Sequence, residues 1–132
     1  PPKSTGRDLF NWAWLQDKCK GFESLAPVDV QATLVALTVE SVRLALQHTQ
    51  QRLTQLLVCG GGAFNTTVMG QLAKALPSLV VTSTSAHGLA PLQVEAAAFA
   101  WLAKQHCHAL AGNLPEATGA QGPRVLGACY PV

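Results

Sequence analysis

The amino-acid sequence predicts an α/β fold, rich in helix and organised around a parallel strand–helix–strand unit. Three observations predict it. The apolar run Leu56-Leu57-Val58-Cys59 is stopped by Gly60-Gly61-Gly62, as a buried strand would be. Asn65, Thr66 and Thr67 can cap a helix carrying Val68, Met69, Leu72, Ala73 and Leu76, which Pro77 ends. A second apolar run over 79–82 follows, so strand, helix and strand fit within about 27 residues, and the two strands should be parallel.

The remaining elements are placed around this unit. Residues 3–6 are polar and contain glycine, and Phe10, Trp14 and Leu15 then recur at helical spacing up to about residue 19. Over 27–52 a long helix is expected, with Val35, Val39, Val42 and Leu46 on one face and Val30, Leu34, Leu37 and Leu44 on another. A helix apolar nearly all round must be sandwiched between partners. A polar loop over 83–91 leads to a helix over 92–108, the string Gly112-Asn113-Leu114-Pro115 ends that region, and residues 124–130 predict a closing strand.

Composition narrows the function classes. The chain has 132 residues, the length of one domain. Charged residues make up 12% against about 25% in an average soluble domain, while apolar residues make up 48%. That charge deficit points to apolar faces buried against something outside this chain, the rival reading being a well-packed small domain. The nine Lys and Arg residues are scattered and the net charge is +2, so nucleic-acid binding is not indicated. No apolar run approaches the ~18 residues of a membrane span, and Pro1-Pro2-Lys3-Ser4-Thr5-Gly6-Arg7 lacks the apolar core of a signal peptide. Cys19, Cys59, Cys107 and Cys129 form no CxxC pair. A soluble cytoplasmic protein with reduced thiols is expected, with neither nucleic acid nor membrane as partner.

The leading site candidate is Gly60-Gly61-Gly62-Ala63-Phe64-Asn65, at the carboxyl end of a strand and the start of a helix, where α/β proteins hold ligands. Glycine lets a ring or phosphate approach the backbone, and the free N–H groups of the next helix favour negative charge. Both effects suit a nucleotide. A tight turn needing positive φ is the rival reading. The dinucleotide fingerprint is missing, because no G-x-G-x-x-G occurs and 80–85 holds no carboxylate; the Walker pattern fails for want of G-K-[ST].

Acids are scarce. Beyond Glu40 only Glu95 and Glu116 remain. Glu95 opens a helix of small and apolar residues, where it either favours the helix dipole or accepts hydrogen bonds from sugar hydroxyls at a cleft edge. His106, Cys107 and His108 resemble metal ligands, but neighbours on a helix diverge. No metal site is expected. His48 and His87 are isolated, and no hydrolytic triad is supported. The string Lys3-Ser4-Thr5-Gly6-Arg7 offers phosphate-type donors, though a polar loop is its commoner meaning.

In order along the chain, Pro1-Pro2-Lys3-Ser4-Thr5-Gly6-Arg7-Asp8-Leu9-Phe10-Asn11, Cys59-Gly60-Gly61-Gly62-Ala63-Phe64-Asn65, Thr82-Ser83-Thr84 with Gly88, Glu95-Ala96 with Ala98-Phe99-Ala100, Gly112-Asn113-Leu114-Pro115 with Thr118-Gly119-Ala120, and Val125-Leu126-Gly127 with Tyr130-Pro131 resemble the anhydro-N-acetylmuramic acid kinase family. The similarity spans nearly the whole chain. It implies membership of the sugar kinase, Hsp70 and actin superfamily, whose members bind ATP between two lobes built on ribonuclease H-like sheets. Residues 1–132 would be part of the carboxyl-terminal lobe of such an actin-like ATPase, incomplete alone, with the amino-terminal lobe of the same protein as partner.

The resemblance further implies that ATP with Mg²⁺ phosphorylates O6 of 1,6-anhydro-N-acetylmuramic acid while water opens the anhydro bridge, in peptidoglycan recycling. The catalytic aspartate and phosphate loop would lie upstream, so no catalytic residue is expected in this chain and the chain alone should be inactive. Carried over by position, Gly60, Gly61, Gly62 and Asn65 would line the adenosine pocket and Glu95 would contact the sugar, with the 3–6 loop near the nucleotide. Phe64 stands where the family has a basic or polar residue, and Ser85 where an aspartate is common. Family precedent and the long apolar helix imply a homodimer. Two alternatives from other classes are a non-catalytic nucleotide-binding or regulatory module of the same superfamily, and a small redox domain, which the missing fingerprint already disfavours.

Overall fold

The computed structural model describes residues 6–49 and 52–130. These divide into two compact units, one running Leu25–Ala97 and the other taking in the described residues through Ser24 and from Ala98 onward.

The central unit opens with helix α2, Pro27–Gln47, which follows a short helix α1, Trp12–Lys18, of the other unit. Pro27 sits in the first turn of α2, where its missing N–H costs nothing, and Asp29 favours the positive end of the dipole. Thr33, Thr38 and Ser41 return their hydroxyls to the carbonyl one turn back, at 2.8, 3.0 and 2.7 Å, so polar residues are tolerated along an apolar helix. On its outer side Arg43 Nε donates to Glu40 Oε2 at 2.7 Å, and this bond holds the Glu40 carboxyl below its usual range.

Strand β1, Gln55–Val58, pairs in parallel with β2, Val80–Ser83, and Val58 stands opposite Ser83. Between them runs helix α3, Thr66–Ala75. The expected parallel unit is therefore present, with each strand within about one residue of its predicted bounds, the usual uncertainty of element ends. Val35 and Val39 of α2 meet Leu72 of α3 and Leu76, which caps that helix, to form the core, flanked by Val42, Leu46, Leu56, Val58 and Val81. The face of α2 predicted to pack does pack. Its second face is divided: Val30 and Leu34 are half-buried, while Leu37 and Leu44 are both more than 40% exposed. The helix stops at Gln47, short of the predicted residue 52; residues 50 and 51 lie outside the described residues.

Beyond β2, a 3-10 turn at Thr84–His87 occupies the predicted polar loop and ends at Gly88 with φ 82°. A second turn, Pro91–Gln93, leads into helix α4, Val94–Cys107. A short helix α5, Pro115–Thr118, follows where the sequence indicated only a break.

In the other unit, the Asn11 side chain caps α1 by accepting from Trp14 N at 3.0 Å, and Phe10 meets Trp14 edge to face, 5.2 Å between centroids. The strand predicted over 124–130 does not form. That stretch is bound by side chains instead of a ladder. Asn113 Nδ2 donates to Gly122 O at 3.1 Å, Arg124 N donates to Asn113 Oδ1 at 2.7 Å, and His106 Nδ1 lies 2.9 Å from Leu126 O. One backbone bond joins it to the preceding corner, Gly112 N to Arg124 O at 3.0 Å. With no neighbouring strand among the described residues, an apolar extended segment has nothing to pair with.

Candidate functional site

The site is built at the carboxyl end of β1. Gly60 has φ 67° and ψ −166°, a region in essence reserved for glycine, and there the chain leaves the strand. Gly61–Phe64 then winds one 3-10 turn, closed by Ala63 N to Gly60 O at 3.2 Å and Asn65 N to Gly62 O at 3.1 Å. Asn65 Oδ1 accepts from Thr67 N and Val68 N, both at 3.1 Å, and so starts α3.

Two different glycine properties are at work in this turn. Gly60 supplies the unusual backbone. Gly61 and Gly62 have no positive φ, and a Cβ built on either would meet nothing within 4 Å. Among the described residues, neither conformation nor packing requires glycine at those two positions. What they leave is bare, accessible main chain beside the first turn of a helix, the surface a planar ring or an anion can approach. Asn65 is partly committed, since its carbonyl oxygen serves the cap and Nδ2 is the group left to reach outward. Phe64 is exposed and adds an aromatic ring to the same turn.

Glu95 lies in the first turn of α4 and is exposed, within the same unit as the glycine turn. A link between them was not legible in the sequence. Gly60 N donates to the carbonyl of Pro91 at 2.9 Å, and Pro91, at the start of the turn feeding α4, is buried. Proline ahead of an apolar helical pattern signals a helix start, but nothing local foretells its distant bond. At the end of β2, Ser83 Oγ and Ser85 Oγ are 2.6 Å apart, and Ser83 Oγ also accepts from Ser85 N at 3.2 Å. Ser85 thus makes a local hydroxyl pair with Ser83. Among the described residues, Thr84 Oγ1 is the buried side-chain oxygen without a hydrogen-bond partner; no pattern pointed to it.

Residues 3–5 of the predicted nucleotide-proximal loop lie outside the described residues; Gly6 N donates to Asp8 Oδ1 at 2.9 Å. His106 is engaged with Leu126 O, and among the described residues no group of three His, Cys, Asp or Glu comes together to hold a metal. All four cysteines are free thiols. No helix among the described residues is long and apolar enough to cross a membrane.

A parallel βαβ unit whose sheet end carries an open glycine turn and a capped helix places the protein in the α/β class that binds ligands at that end. Comparison with known proteins narrows the class. The family model described as anhydro-N-acetylmuramic acid kinase matches residues 1–132, and the chain belongs to that family. It is 50% identical over 98% of its length to the anhydro-N-acetylmuramic acid kinase of Pseudomonas paraeruginosa, covering 36% of that protein. Against the proteins of the same name from Albidiferax ferrireducens and Ralstonia nicotianae the identities are 53% and 51%, over 98% and 99% of the chain and 33% and 35% of the relative. The chain thus spans about a third of the length of the curated relatives it matches.

Proposed function

We propose that the intact protein is a sugar kinase that phosphorylates O6 of 1,6-anhydro-N-acetylmuramic acid with opening of the anhydro ring, in the cytoplasm. In this reading residues 1–132 belong to the carboxyl-terminal lobe and supply half of the nucleotide site. ATP supplies the phosphoryl group. Gly61 and Gly62 offer main chain against which adenosine can lie, Gly60 sets the direction of the turn, Asn65 starts the helix and reaches out through Nδ2, and Glu95 accepts from the sugar hydroxyls.

The observation that carries the reading is the bare face at Gly61 and Gly62, where a Cβ would meet nothing within 4 Å among the described residues. Glycine at these two positions leaves main chain open to an external occupant, and the family relationship supports a nucleotide as that occupant. Mg²⁺ is a different matter. Phosphoryl transfer depends on positioned acids that hold the ion. Those acids and the water-activating aspartate are assigned to the rest of the protein, and the chain alone is inactive. The exposed Leu37 and Leu44 of α2 fit a protein that buries further surface, against its other lobe and in a homodimer.

The test uses the intact protein. It should convert the anhydro-sugar and ATP to the 6-phosphate, and Gly62→Val should raise the KM for ATP about tenfold or more, the equivalent of about 1.4 kcal/mol of lost binding. Turnover with an unaltered ATP KM would remove adenosine from this turn. Nucleotide binding without turnover would favour the non-catalytic module instead.

A further inference from the structure

The bond from Gly60 N to Pro91 O, 2.9 Å long, joins the glycine turn to the segment that launches α4 and Glu95. That segment is stiff. Pro91 is buried while Ala90 and Leu92 on either side are exposed, so the ring is the anchor of an otherwise open stretch. Its φ is fixed by the pyrrolidine, Ala90 before it is held extended at φ −58° and ψ 136°, and Gln93 N closes the turn on Ala90 O at 2.9 Å. From Pro91 the chain runs without a break into α4, and Glu95 follows within about one turn, roughly 6–8 Å along the axis. A displacement of the glycine turn is therefore delivered to the base of Glu95 with few soft torsions to absorb it.

We propose that Pro91 is a positioning residue that couples the two ligand sites, so that occupancy of the glycine turn sets the place of Glu95 and the reverse. This rests on the reading that Gly61 and Gly62 take the nucleotide and Glu95 takes the sugar. Each ligand fixes one end of the same short strut, and the second to arrive finds the other end already ordered. Such coupling is reciprocal by linkage: the factor by which nucleotide tightens sugar equals the factor by which sugar tightens nucleotide.

The experiment measures the Kd of the intact protein for the anhydro-sugar with and without a saturating non-hydrolysable ATP analogue. In the natural protein the analogue lowers the sugar Kd at least about fivefold, the lower end of ordinary allosteric factors. Pro91→Gly, which keeps the carbonyl but frees φ, brings that ratio close to one. Pro91→Ala, which keeps a helical preference, retains most of it. A merely structural residue would shift both affinities and leave their ratio. An unchanged ratio in Pro91→Gly, or a ratio of one in the natural protein, overturns the proposal. Should Pro91→Gly not fold, amide exchange on the natural protein decides: the sugar alone must slow exchange at Gly60, and unaltered exchange there overturns it too. Gly62→Val separates the two levels. If it weakens the analogue while Pro91 leaves the ratio untouched, the strut is wrong and the nucleotide site stands; if it leaves the analogue's affinity intact, the site reading falls and takes the strut with it.

Discussion

At residues 60–62 glycine faces open space, whereas at Gly112 a Cβ would come 3.0 Å from Leu102 Cδ2 and 3.5 Å from Leu126. The second corner is closed: its glycine makes room for side chains that the chain itself supplies, and Asn113 and Gly112 tie it to residues 122–124. The first is open, and only Gly60 within it is demanded by backbone geometry. Identical residues in the sequence thus do three jobs: relieving strain, admitting a neighbour, and leaving a surface bare. The third is the one that points outward to a ligand.

Substitutions separate these jobs, and each would be made in the intact protein. Gly60→Ala forces a side chain into a backbone region near φ 67° and ψ −166°, and thermal or urea unfolding should register a loss of about 1–3 kcal/mol. A loss under ~0.5 kcal/mol would mean the turn relaxes and the conformation is not held. Next in size is Gly112→Ala, expected to cost about 1 kcal/mol, because the far end of Leu102 must shift by a few tenths of an ångström. If Gly112→Ala proved stabilising, the corner would be less tightly packed than its distances indicate.

Smaller still on stability, Gly61→Ala should move the unfolding free energy by less than about 1 kcal/mol, with the sign toward stabilisation because alanine restricts the unfolded chain. Its nucleotide affinity should nonetheless fall, read by titration calorimetry. A destabilised variant with normal affinity would reverse the assignment of the open face. Asn65→Asp is the smallest expected change in stability, near zero, since aspartate caps a helix as well as asparagine does. It removes the Nδ2 donor and adds a negative charge beside the turn, so a weakened nucleotide affinity at unaltered melting temperature is expected; equal affinity would exclude Asn65 from the pocket.

The parallel unit was legible because its signals are local and mutually consistent: an apolar run, three glycines, Asn-Thr-Thr, helical spacing, then Pro77. The strand expected over 124–130 failed for the opposite reason. Residues 125 and 126 are apolar, but a strand is a relation between two segments, and among the described residues this one is met by the side chains of Asn113 and His106. Periodicity records how a segment presents itself and says nothing of what lies alongside. The site shows the same division. Gly60, Gly61, Gly62, Asn65 and Glu95 could be nominated from their places relative to strand and helix, whereas the Gly60–Pro91 bond joins residues far apart in sequence and leaves no local trace. The distinct jobs of Gly60 and Gly61 depend on torsion angles that a run of three identical residues cannot reveal.

The exposure of Leu37 and Leu44 on α2 has a consequence for handling the chain by itself. The slope of a urea titration scales with the surface that unfolding exposes, and much of this helix is already wetted along Leu37 and Leu44. Separated from the rest of its protein, the chain should melt over a wide denaturant range with a small heat-capacity step, and its greasy helix should make it prone to self-association as it is concentrated.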